Sequence, residues 1–503
     1  MVATAISCAV QGLSGVPVTV EVDVANGLPA FTIVGLTDRA IQEARERVRA
    51  AVRNAGFEFP QRRVTVNLAP AEVPKEGTGF DLAIAAALLR TEREMPLDEV
   101  ACIGELALDG GVRGVAGMLP MARRLLASGI RHLVVANENA AEAAMVEGTS
   151  VIGVDSLAMA VAHLEGRIPL QPVSAPPMGD VPPHGGVDLA AVRGQALAKR
   201  ALEIAAAGRH NLLMLGAPGA GKTMLARAFA GLLPDLGSDE ALEVAALYSL
   251  RGRLSDRALT SLRPPLRAPH HSVSRAGLIG GGAGIVHPGE VSLAHRGVVF
   301  LDEICEFPRG HLEALRQPLE ERRVAVTRVR ATVVFPADFV LVAAANPCPC
   351  GRLGQPSGPS CRCPEEVINR YQSRLSGPMR DRIDMTVEVP RLGADALLGG
   401  ANEEPTAKVR GRVAAAQARQ LGRAAATGVT ANALLEGDQL LHACRLDTRA
   451  RDALTMAGER WRLSARAYHR VLRVGRTIAD LAGEDRVGRE AVIEAFQLRG
   501  QVP

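Results

Sequence analysis

Eight consecutive residues in the middle of the chain have the types and spacing of a phosphate-binding loop. They are Gly216, Ala217, Pro218, Gly219, Ala220, Gly221, Lys222 and Thr223. A short stretch at 211–215 that predicts a buried strand precedes them and a helical pattern at 224–233 follows, which is the strand, loop and helix context that the motif requires. Backbone N–H groups of such a loop point at phosphate oxygens, and the helix N-terminus adds partial positive charge. We therefore expect Lys222 to contact the β- and γ-phosphates of ATP and Thr223 to bind Mg²⁺. The competing interpretation is a glycine-rich turn with a chance Lys-Thr pair.

A second apolar run ends in two carboxylates. Asp302 and Glu303 directly follow the four apolar residues 298–301. A buried central strand delivers acidic side chains to the carboxyl edge of a parallel sheet in this way. We expect Asp302 to hold Mg²⁺ through water and Glu303 to orient and polarise the attacking water. The alternative is that both residues cap a helix.

A third apolar run, residues 339–345, is followed by Asn346. If this run is a neighbouring parallel strand, Asn346 reaches the same edge of the sheet. There it is expected to hold the same water, as the first nucleotide sensor of ring ATPases does. The alternative is an asparagine that forms a turn before Pro347.

Four of the eight cysteines are clustered. Cys348, Cys350, Cys361 and Cys363 form two Cys-x-Cys pairs among prolines and glycines. This density of thiols predicts a small tetrahedral zinc site, which would be structural because four thiolates leave no open position for water. Two disulfides and a redox switch are the alternatives, and a reducing cytosol disfavours the disulfides. The remaining cysteines are scattered and are expected to be ordinary buried or neutral thiols.

The composition is that of a large protein with several cores. Its 503 residues, 47% of them hydrophobic, are enough for about three domains. The net charge of +4 is weak support for a polyanionic partner, and one Trp with three Tyr argues against binding single strands mainly by aromatic stacking. Without an apolar run of about 18 residues or a signal-peptide pattern, we expect no membrane span and a cytoplasmic location.

Changes in composition divide the chain into four parts. Residues 1–165 alternate short strands (18–24, 30–34, 63–68) with helices (38–55, 81–89, 118–127), and residues 166–187 are a linker rich in Pro and Gly. Residues 188–391 contain the nucleotide motifs, with the cysteine insert at 346–364. Residues 392–503 are rich in Ala, Arg and Leu at helical spacing, including 410–421 and 465–481, and predict an α-helical lid.

Two segments of the nucleotide region have distinctive compositions. Residues 324–327 and 331–334 predict a hairpin with Arg328 and Arg330 near its tip. From the residues alone, this hairpin could be an exposed solubilising turn. The glycine-rich segment 277–289 is too flexible for a core element and too long for a tight turn.

Several strings resemble the magnesium-chelatase-like AAA+ ATPases of the YifB/ComM type. They are residues 267–272, 288–295, 300–303, 346–351, 374–378 and 381–384. The resemblance covers essentially the whole chain. It implies a hexameric, ATP-driven DNA helicase that promotes branch migration in recombination and natural transformation. It also implies that the segment 277–289 and the hairpin face the pore of the ring, where Arg328 and Arg330 would contact DNA phosphates.

The resemblance also assigns roles to arginines. Arg382 matches the arginine finger that one subunit projects into the ATP site of its neighbour, with Arg380 as a rival because it replaces a usually apolar residue. Arg466 matches the second sensor, which reaches the γ-phosphate. From the residues alone, Arg382 could instead form local ion pairs with Asp381 and Asp384, and Arg466 could be one more solvated arginine.

The N-terminal region resembles the proteolytic domain of Lon, which has a ribosomal-S5-like α+β fold. Residues 74–79 parallel the serine loop of that family, and residues 104–110 begin the strand that leads to its lysine helix. Gly79 stands where the nucleophilic serine would be, and Leu119 stands near the position of the lysine. A Ser-Lys dyad needs both groups. We therefore expect a non-proteolytic module for assembly or DNA docking.

The sequence thus predicts a multi-domain α/β protein: an S5/Lon-like α+β domain, an AAA+ phosphate-loop core with a four-cysteine zinc insert, and a helical lid. The hypothesis is an ATPase ring, a hexamer, that requires ATP, Mg²⁺ and structural zinc and moves on branched or single-stranded DNA. Two alternatives come from other classes. One is a magnesium-chelatase motor subunit, which lacks a Lon-like domain and a four-cysteine insert. The other is an ATP-dependent protease or protein remodeller, against which the missing dyad argues.

Overall fold

A computed structural model describes residues 2–35, 39–72, 75, 77–179, 186–252, 261–282, 286–327, 332–354, 360–393, 403–460 and 462–499. Strands and helices are numbered below in chain order over these residues. The described part is a multi-domain α/β structure with a mixed N-terminal sheet, a parallel sheet and a helical C-terminal region.

The N-terminal region is a mixed sheet with helices packed on it. Its strands β1 to β9 are Val2–Gln11, Ser14–Ala25, Ala30–Val34, Arg63–Ala69, Val100–Ile103, Glu105–Leu106, Val112–Arg113, His132–Ala136 and Ser150–Val154. Its helices α1 to α5 are Arg39–Asn54, Asp81–Arg90, Met118–Ala127, Asn137–Ala144 and Leu157–Leu164. Seven of the strands form a sheet in the order β3-β4-β2-β1-β5-β8-β9. Alternate residues of β2, including Val18, Val20 and Val22, are fully buried, which is the period-two pattern of a strand with one face on a core.

The nucleotide region is built on a parallel sheet. Strands β10 to β18 are Leu212–Leu215, Leu266–Arg267, Gly280–Gly281, His287–Pro288, Val298–Leu301, Arg323–Thr327, Thr332–Pro336, Val340–Ala345 and Met385–Glu388. Helices α6 to α14 are Ala196–Gly208, Lys222–Leu232, Ser238–Ser249, Arg275–Ile279, Glu290–Leu293, Arg309–Ala314, Arg316–Glu321, Glu365–Gln372 and Gly377–Arg380. The sheet order is β11-β14-β17-β10-β18, and each neighbouring pair is parallel. All residues of β14 and β17 are buried, because helices cover both faces of the sheet.

The C-terminal helices share a hydrophobic core with this sheet. Helices α15 to α19 are Thr406–Thr427, Gly437–Cys444, Thr448–Arg460, Ala465–Leu481 and Arg489–Gln497. Val413 of α15 and Val474 of α18 belong to the same buried cluster as Val342 of β17 and Phe229 of α7. The helical region is therefore held against the nucleotide core by apolar packing as well as by polar contacts.

A buried contact joins the N-terminal sheet to the nucleotide region. The Gly117 N–H donates to the Ser249 carbonyl at 3.0 Å, and the Leu119 N–H donates to the Ser249 hydroxyl oxygen at 3.4 Å as well as to Glu142 Oε1 at 2.8 Å. Ala245 and Ala246 of α8 pack in the same cluster as residues of α3. Burial raises the pKa of the Glu142 carboxyl. The N-terminal end of α3 and the C-terminal end of α8 thus form one packed junction.

Most of the predicted strands and helices are confirmed, with shifts of one or two residues at most ends, although the strand predicted at 18–24 begins four residues earlier and is Ser14–Ala25. The helices predicted at 118–127 and 465–481 have those bounds, whereas the helix predicted at 410–421 is longer, Thr406–Thr427. The predicted hairpin is present as the antiparallel pair β15 and β16. Arg328 and Arg330 lie outside the described residues. Among the helices that the structure describes, none combines the length and the apolar character needed to cross a bilayer.

A charged network is buried between α15 and α18. Asp480, whose side chain is fully buried, accepts hydrogen bonds from Arg476 at 3.1 Å and from Asn432 at 2.8 Å, and it also pairs with Arg423. Burial lowers the pKa of Arg476, and the Asp480 carboxylate opposes that effect. One buried carboxylate therefore lies within ion-pair distance of three guanidinium groups, those of Arg476, Arg423 and, at 3.8 Å, Arg419.

We predict that Asp480→Ala strongly destabilises the helical region, since it leaves Arg476 and Arg423 without their carboxylate. Breaking a buried ion pair costs about 3–5 kcal/mol. The matched control is Asp485→Ala, because Asp485 is 83% exposed and its pair with Arg419 is a surface pair worth about 0–1 kcal/mol. Urea unfolding followed by far-UV circular dichroism measures both. Equal unfolding midpoints for the two variants would contradict the prediction.

Candidate nucleotide-binding site

The backbone conformation of the phosphate loop requires glycine at several positions. Gly219 and Gly221 have φ values of +78° and +94°, in the left-handed region that favours glycine. At Gly216 the limit is space, since a Cβ atom would lie 2.3 Å from the carbonyl oxygen of Val389, the residue that follows β18. Helix α7 begins at Lys222, so its free N–H groups face the loop. The loop can therefore receive an anion at a helix N-terminus.

The Lys222 ammonium lies at the centre of the loop. Its Nζ atom donates to the carbonyl oxygens of Gly216 and Ala217 at 2.5 and 2.9 Å, and to Asn346 Oδ1 at 3.0 Å. Burial lowers the pKa of Lys222, and the nearby Asp302 and Glu303 carboxylates oppose this shift. A polyphosphate would compete with these neutral oxygens for the ammonium and would form stronger, charge-assisted hydrogen bonds.

Thr223 and Asp302 are brought together from separate elements. The Thr223 hydroxyl donates to Asp302 Oδ2 at 2.8 Å. Adjacent ligands of an octahedral Mg²⁺ ion with bonds of about 2.1 Å are about 3.0 Å apart, so this hydroxyl and this carboxylate fit neighbouring ligand positions. Both are the hard oxygen donors that Mg²⁺ prefers. The sequence predicts that Thr223 binds Mg²⁺ and that Asp302 holds it through water, and the short contact places both groups beside one ion position.

Glu303 has an unusual backbone conformation. Its φ angle is +49°, and its N–H donates to Asp302 Oδ1 at 3.0 Å. A left-handed conformation is uncommon outside glycine, and such positions are concentrated at functional sites. It turns the chain sharply after β14, so that the exposed Glu303 side chain and the half-buried Asp302 side chain have different surroundings.

Asn346 extends from the strand between the loop strand and the acidic strand. β17 lies between β10 and β14, and all three run in the same direction. Their carboxyl ends therefore carry the phosphate loop, Asn346 and the acidic pair along one edge. The hydrogen bond from Lys222 to Asn346 joins the phosphate loop to the polar end of β17.

A cavity of about 640 Å³ opens beside the phosphate loop. Its lining comes from the loop, the start of α6, the chain after β18 and the cysteine segment: Gln195, Leu197, Gly216, Ala217, Arg391 and Leu353 are among the lining residues. Arg391 donates to the Pro218 carbonyl at 2.8 Å, and Gln195 donates to the Pro390 carbonyl at 2.7 Å. These contacts join the walls of the cavity to the loop.

The four clustered cysteines lie within reach of one ion. Their sulfur atoms are all within 4.8 Å of one another, and Cys348 Sγ lies 3.4 Å from Cys350 Sγ and 3.6 Å from Cys361 Sγ. Thiolates at about 2.3 Å from a tetrahedral zinc ion are about 3.8 Å apart, whereas sulfurs in a disulfide are about 2.0 Å apart. Together with Cys363 they form a donor set that fits zinc.

The arginines proposed to act on phosphates have partners in their own chain. Arg382 is 12% exposed and pairs with Glu320, while Arg380 donates to the carbonyls of Leu375 and Gln372. Arg466 is 74% exposed and lies 3.8 Å from Asp381. Within one chain, the described contacts of these arginines therefore do not include the phosphate loop.

The N-terminal positions compared with the Lon dyad have apolar surroundings. A Cβ atom at Gly79 would contact Ile103 and Val115, and Leu119 is fully buried. Lys75, also buried, donates to the Pro70 carbonyl, and burial lowers its pKa. The geometry at Gly79 and Leu119 supplies neither a hydroxyl nor an amine.

Sequence reasoning missed residues that contact the site from distant parts of the chain. Gln195, Arg391 and Leu353 carry no motif, and the only signal is that Arg391 and Leu353 follow motif elements closely. Tertiary packing alone brings them to the cavity.

The chain matches three family descriptions along its length. Residues 188–397 match the family described as magnesium chelatase, subunit ChlI. Residues 20–139 match subunit ChlI of Mg-chelatase, and residues 403–499 match the C-terminal part of subunit ChlI.

Two similar proteins match nearly the full length of this chain, and a third matches part of it. The YifB protein of Salmonella typhimurium is 43% identical over 499 residues, which are 98% of this chain and 96% of that protein. Competence protein ComM of Haemophilus influenzae is 42% identical over 503 residues, 99% and 97% of the two chains. Lon protease 2 of Bacillus subtilis is 27% identical over 111 residues, 22% of this chain and 20% of that protein.

We predict that Lys222→Ala removes detectable MgATP binding, because it deletes the cation at the centre of the loop. Glu303→Gln should bind MgATP with unchanged affinity but lose about 10²–10⁴-fold in turnover, the usual contribution of a general base. Calorimetric titration and phosphate release measure the two effects. Near-normal turnover by Glu303→Gln would remove Glu303 from the catalytic role.

Proposed function

Since the chain belongs to the magnesium-chelatase-like family of the YifB/ComM type, we propose that it is an ATP-driven ring motor that acts on DNA. The ring is proposed to be a hexamer and its activity to be branch migration in recombination, including natural transformation. The observation that carries the ATPase part is the convergence of Lys222, Asp302 and Asn346 at one edge of the parallel sheet.

In this proposal each side chain has a separate task in ATP hydrolysis. Lys222 and the loop N–H groups bind the phosphates, and Thr223 and Asp302 hold the magnesium ion, which neutralises charge on the phosphate oxygens. Glu303, whose side chain is exposed at the end of β14, orients and polarises the attacking water. Asn346 positions that water and, through its hydrogen bond, the Lys222 ammonium.

The ring supplies what a single chain lacks. Arg382 pairs with Glu320 in its own chain. We propose that assembly replaces this carboxylate by the γ-phosphate of the neighbouring subunit. Glu320 is 54% exposed, so its pair with Arg382 is weakly stabilising and can be exchanged. Arg466 is 74% exposed and its contact with Asp381 is a surface pair, so we propose that it too can exchange this carboxylate for the γ-phosphate, as a second sensor.

A basic groove on the helical region supports a polyanionic partner. Arg445, Arg451 and Arg486 are exposed and line this groove beside Leu441 and Leu446. Among the residues that the structure describes, no carboxylate within ion-pair distance is found for these three guanidinium groups. Unpaired arginines along one groove suit the phosphates of a nucleic acid, which release counterions when neutralised.

The similarity to competence protein ComM over nearly all of both chains supports DNA as that polyanion. The apolar surroundings of Gly79 and Leu119 favour an assembly or DNA-docking role for the N-terminal domain over proteolysis. The four cysteines are proposed to hold a structural zinc ion.

We predict that DNA stimulates ATP hydrolysis and that a labelled four-way junction is resolved into forks only with hydrolysable ATP. Lys222→Ala is the inactive control. Replacing Arg445, Arg451 and Arg486 together by Ala should make the log–log salt dependence of DNA binding shallower by about 2–3, at 0.7–0.9 per lost phosphate contact. A triple change of exposed arginines that lie outside both the groove and the N-terminal domain, Arg309, Arg460 and Arg489 to Ala, controls for net charge.

The outcomes separate the alternatives. ATPase activity that ignores every form of DNA, with intact junctions, rejects the helicase. Dependence on partner subunits and a porphyrin would identify a chelatase motor, and cleavage of peptides would identify a protease. An unchanged salt slope in the groove variant would reject the groove as a phosphate-contact surface.

For the finger, we predict that Arg382→Ala binds MgATP normally and loses about 10³–10⁵-fold in turnover. Mixing it with Lys222→Ala protein should restore part of the activity, because mixed interfaces join one intact loop to one intact Arg382. Arg380→Ala is the matched comparison. If only Arg380→Ala shows this complementation, Arg380 is the finger.

A further inference from the structure

The chain that follows β17 touches the phosphate loop more than once. Asn346 accepts its hydrogen bond from Lys222, and five residues later Gly351 packs directly on Pro218. Gly351 has a φ of +72°, and a Cβ atom there would lie 2.3 Å from Pro218 Cδ. Only glycine permits this approach. The backbone of the cysteine segment therefore packs against the Pro218 ring of the phosphate loop.

The same segment also provides part of the cavity beside the loop. Leu353 and Gly354 line this 640 Å³ space together with Gly216 and Ala217. Leu353 is an apolar side chain that is 37% exposed. A nucleotide whose phosphates lie in the loop must place its nucleoside next to the loop. An apolar side chain on the wall of the adjoining cavity is suited to pack on a base.

The cysteines fix this segment. Cys348 lies between Asn346 and Gly351, its Sγ atom accepts a hydrogen bond from the Leu353 N–H at 3.4 Å, and its carbonyl accepts one from the Gly351 N–H at 2.9 Å. Cys361 Sγ is 3.6 Å from both Cys348 Sγ and Cys350 Sγ. An ion at the centre of the four sulfurs would hold Gly351 and Leu353 in their positions, because both lie within five residues of a ligand.

We propose that the four-cysteine segment is a wall of the nucleotide site. A zinc ion bound by Cys348, Cys350, Cys361 and Cys363 holds Gly351 on Pro218 and Leu353 against the nucleoside, so that metal occupancy sets nucleotide affinity. This inference rests on the proposed ATP site. It adds a contact that discriminates nucleotides from bare phosphates, and it gives the metal a role beyond local folding.

The side-chain contact is tested with two probes on the full chain. Leu353→Ala should weaken binding of MgATP about 5–10-fold, since it removes part of a leucine contact, and should leave binding of magnesium tripolyphosphate unchanged. Leu421→Ala is the matched control, because Leu421 is 58% exposed on α15. Gly351→Ala, which retains all four cysteines, should weaken both probes by displacing the segment from Pro218. Equal MgATP affinity in wild type and Leu353→Ala would overturn the contact.

The metal is tested by elemental analysis and by nucleotide titration. We expect about one zinc per chain in wild type. The double variant Cys361→Ser, Cys363→Ser and chelator-treated wild type should both lack the zinc and bind MgATP at least tenfold more weakly. Circular dichroism checks that the fold persists. Full MgATP affinity in metal-free protein, or wild type purified without metal, would overturn the coupling. If zinc-loaded wild type binds tripolyphosphate and MgATP with equal affinity, the cysteine segment is not a wall of the nucleotide site. If it binds neither probe, the proposed ATP site itself is rejected.

Discussion

Three strands of the central sheet run in the same direction, and the nucleotide site depends on this constraint. The carboxyl ends of β10, β17 and β14 meet at one edge, so the phosphate loop, Asn346 and the Asp302-Glu303 pair are delivered to neighbouring positions. An antiparallel neighbour would send its polar end to the opposite edge. The hydrogen bonds from Lys222 to Asn346 and from Thr223 to Asp302 are the local result of that shared direction.

A parallel sheet must be covered on both faces, and this requirement explains much of the remaining structure. One cluster joins the sheet to α6, α7 and the C-terminal helices, and a second cluster packs α9 to α12 against β14 and β17. The helical region consequently contacts the nucleotide core through buried side chains, such as His210, which bonds Thr477 of α18 at 2.8 Å. A change in the position of α18 would therefore displace His210, which lies just before β10 of the sheet. This coupling is what a motor needs in order to transmit a nucleotide-dependent change.

Segments outside the sheet also contact the phosphate loop. The cysteine segment packs on Pro218, and Arg391 donates to the carbonyl of that same residue. The loop is thus held from two sides by chain that follows β17 and β18. The arginines proposed to act between subunits are instead held by their own chain, with Arg382 on Glu320. In the proposed ring, nucleotide affinity and turnover would depend on different contacts, because the phosphate loop belongs to one chain and Arg382 would act across an interface.

The sequence by itself determined the parts that depend on local spacing. The phosphate loop, the apolar run before Asp302, the cysteine pairs and the long amphipathic helices are all patterns within about twenty residues, and the predicted strand and helix positions are largely confirmed. Only the tertiary structure decided which distant residues meet. Gln195, Arg391 and Leu353 carry no local pattern, and the packing of Gly117 and Leu119 on Ser249 joins two regions that composition alone had separated. Such contacts arise from the order and direction of strands and from burial on both faces of a sheet, which are properties of the whole chain and leave no signature in a short window of sequence.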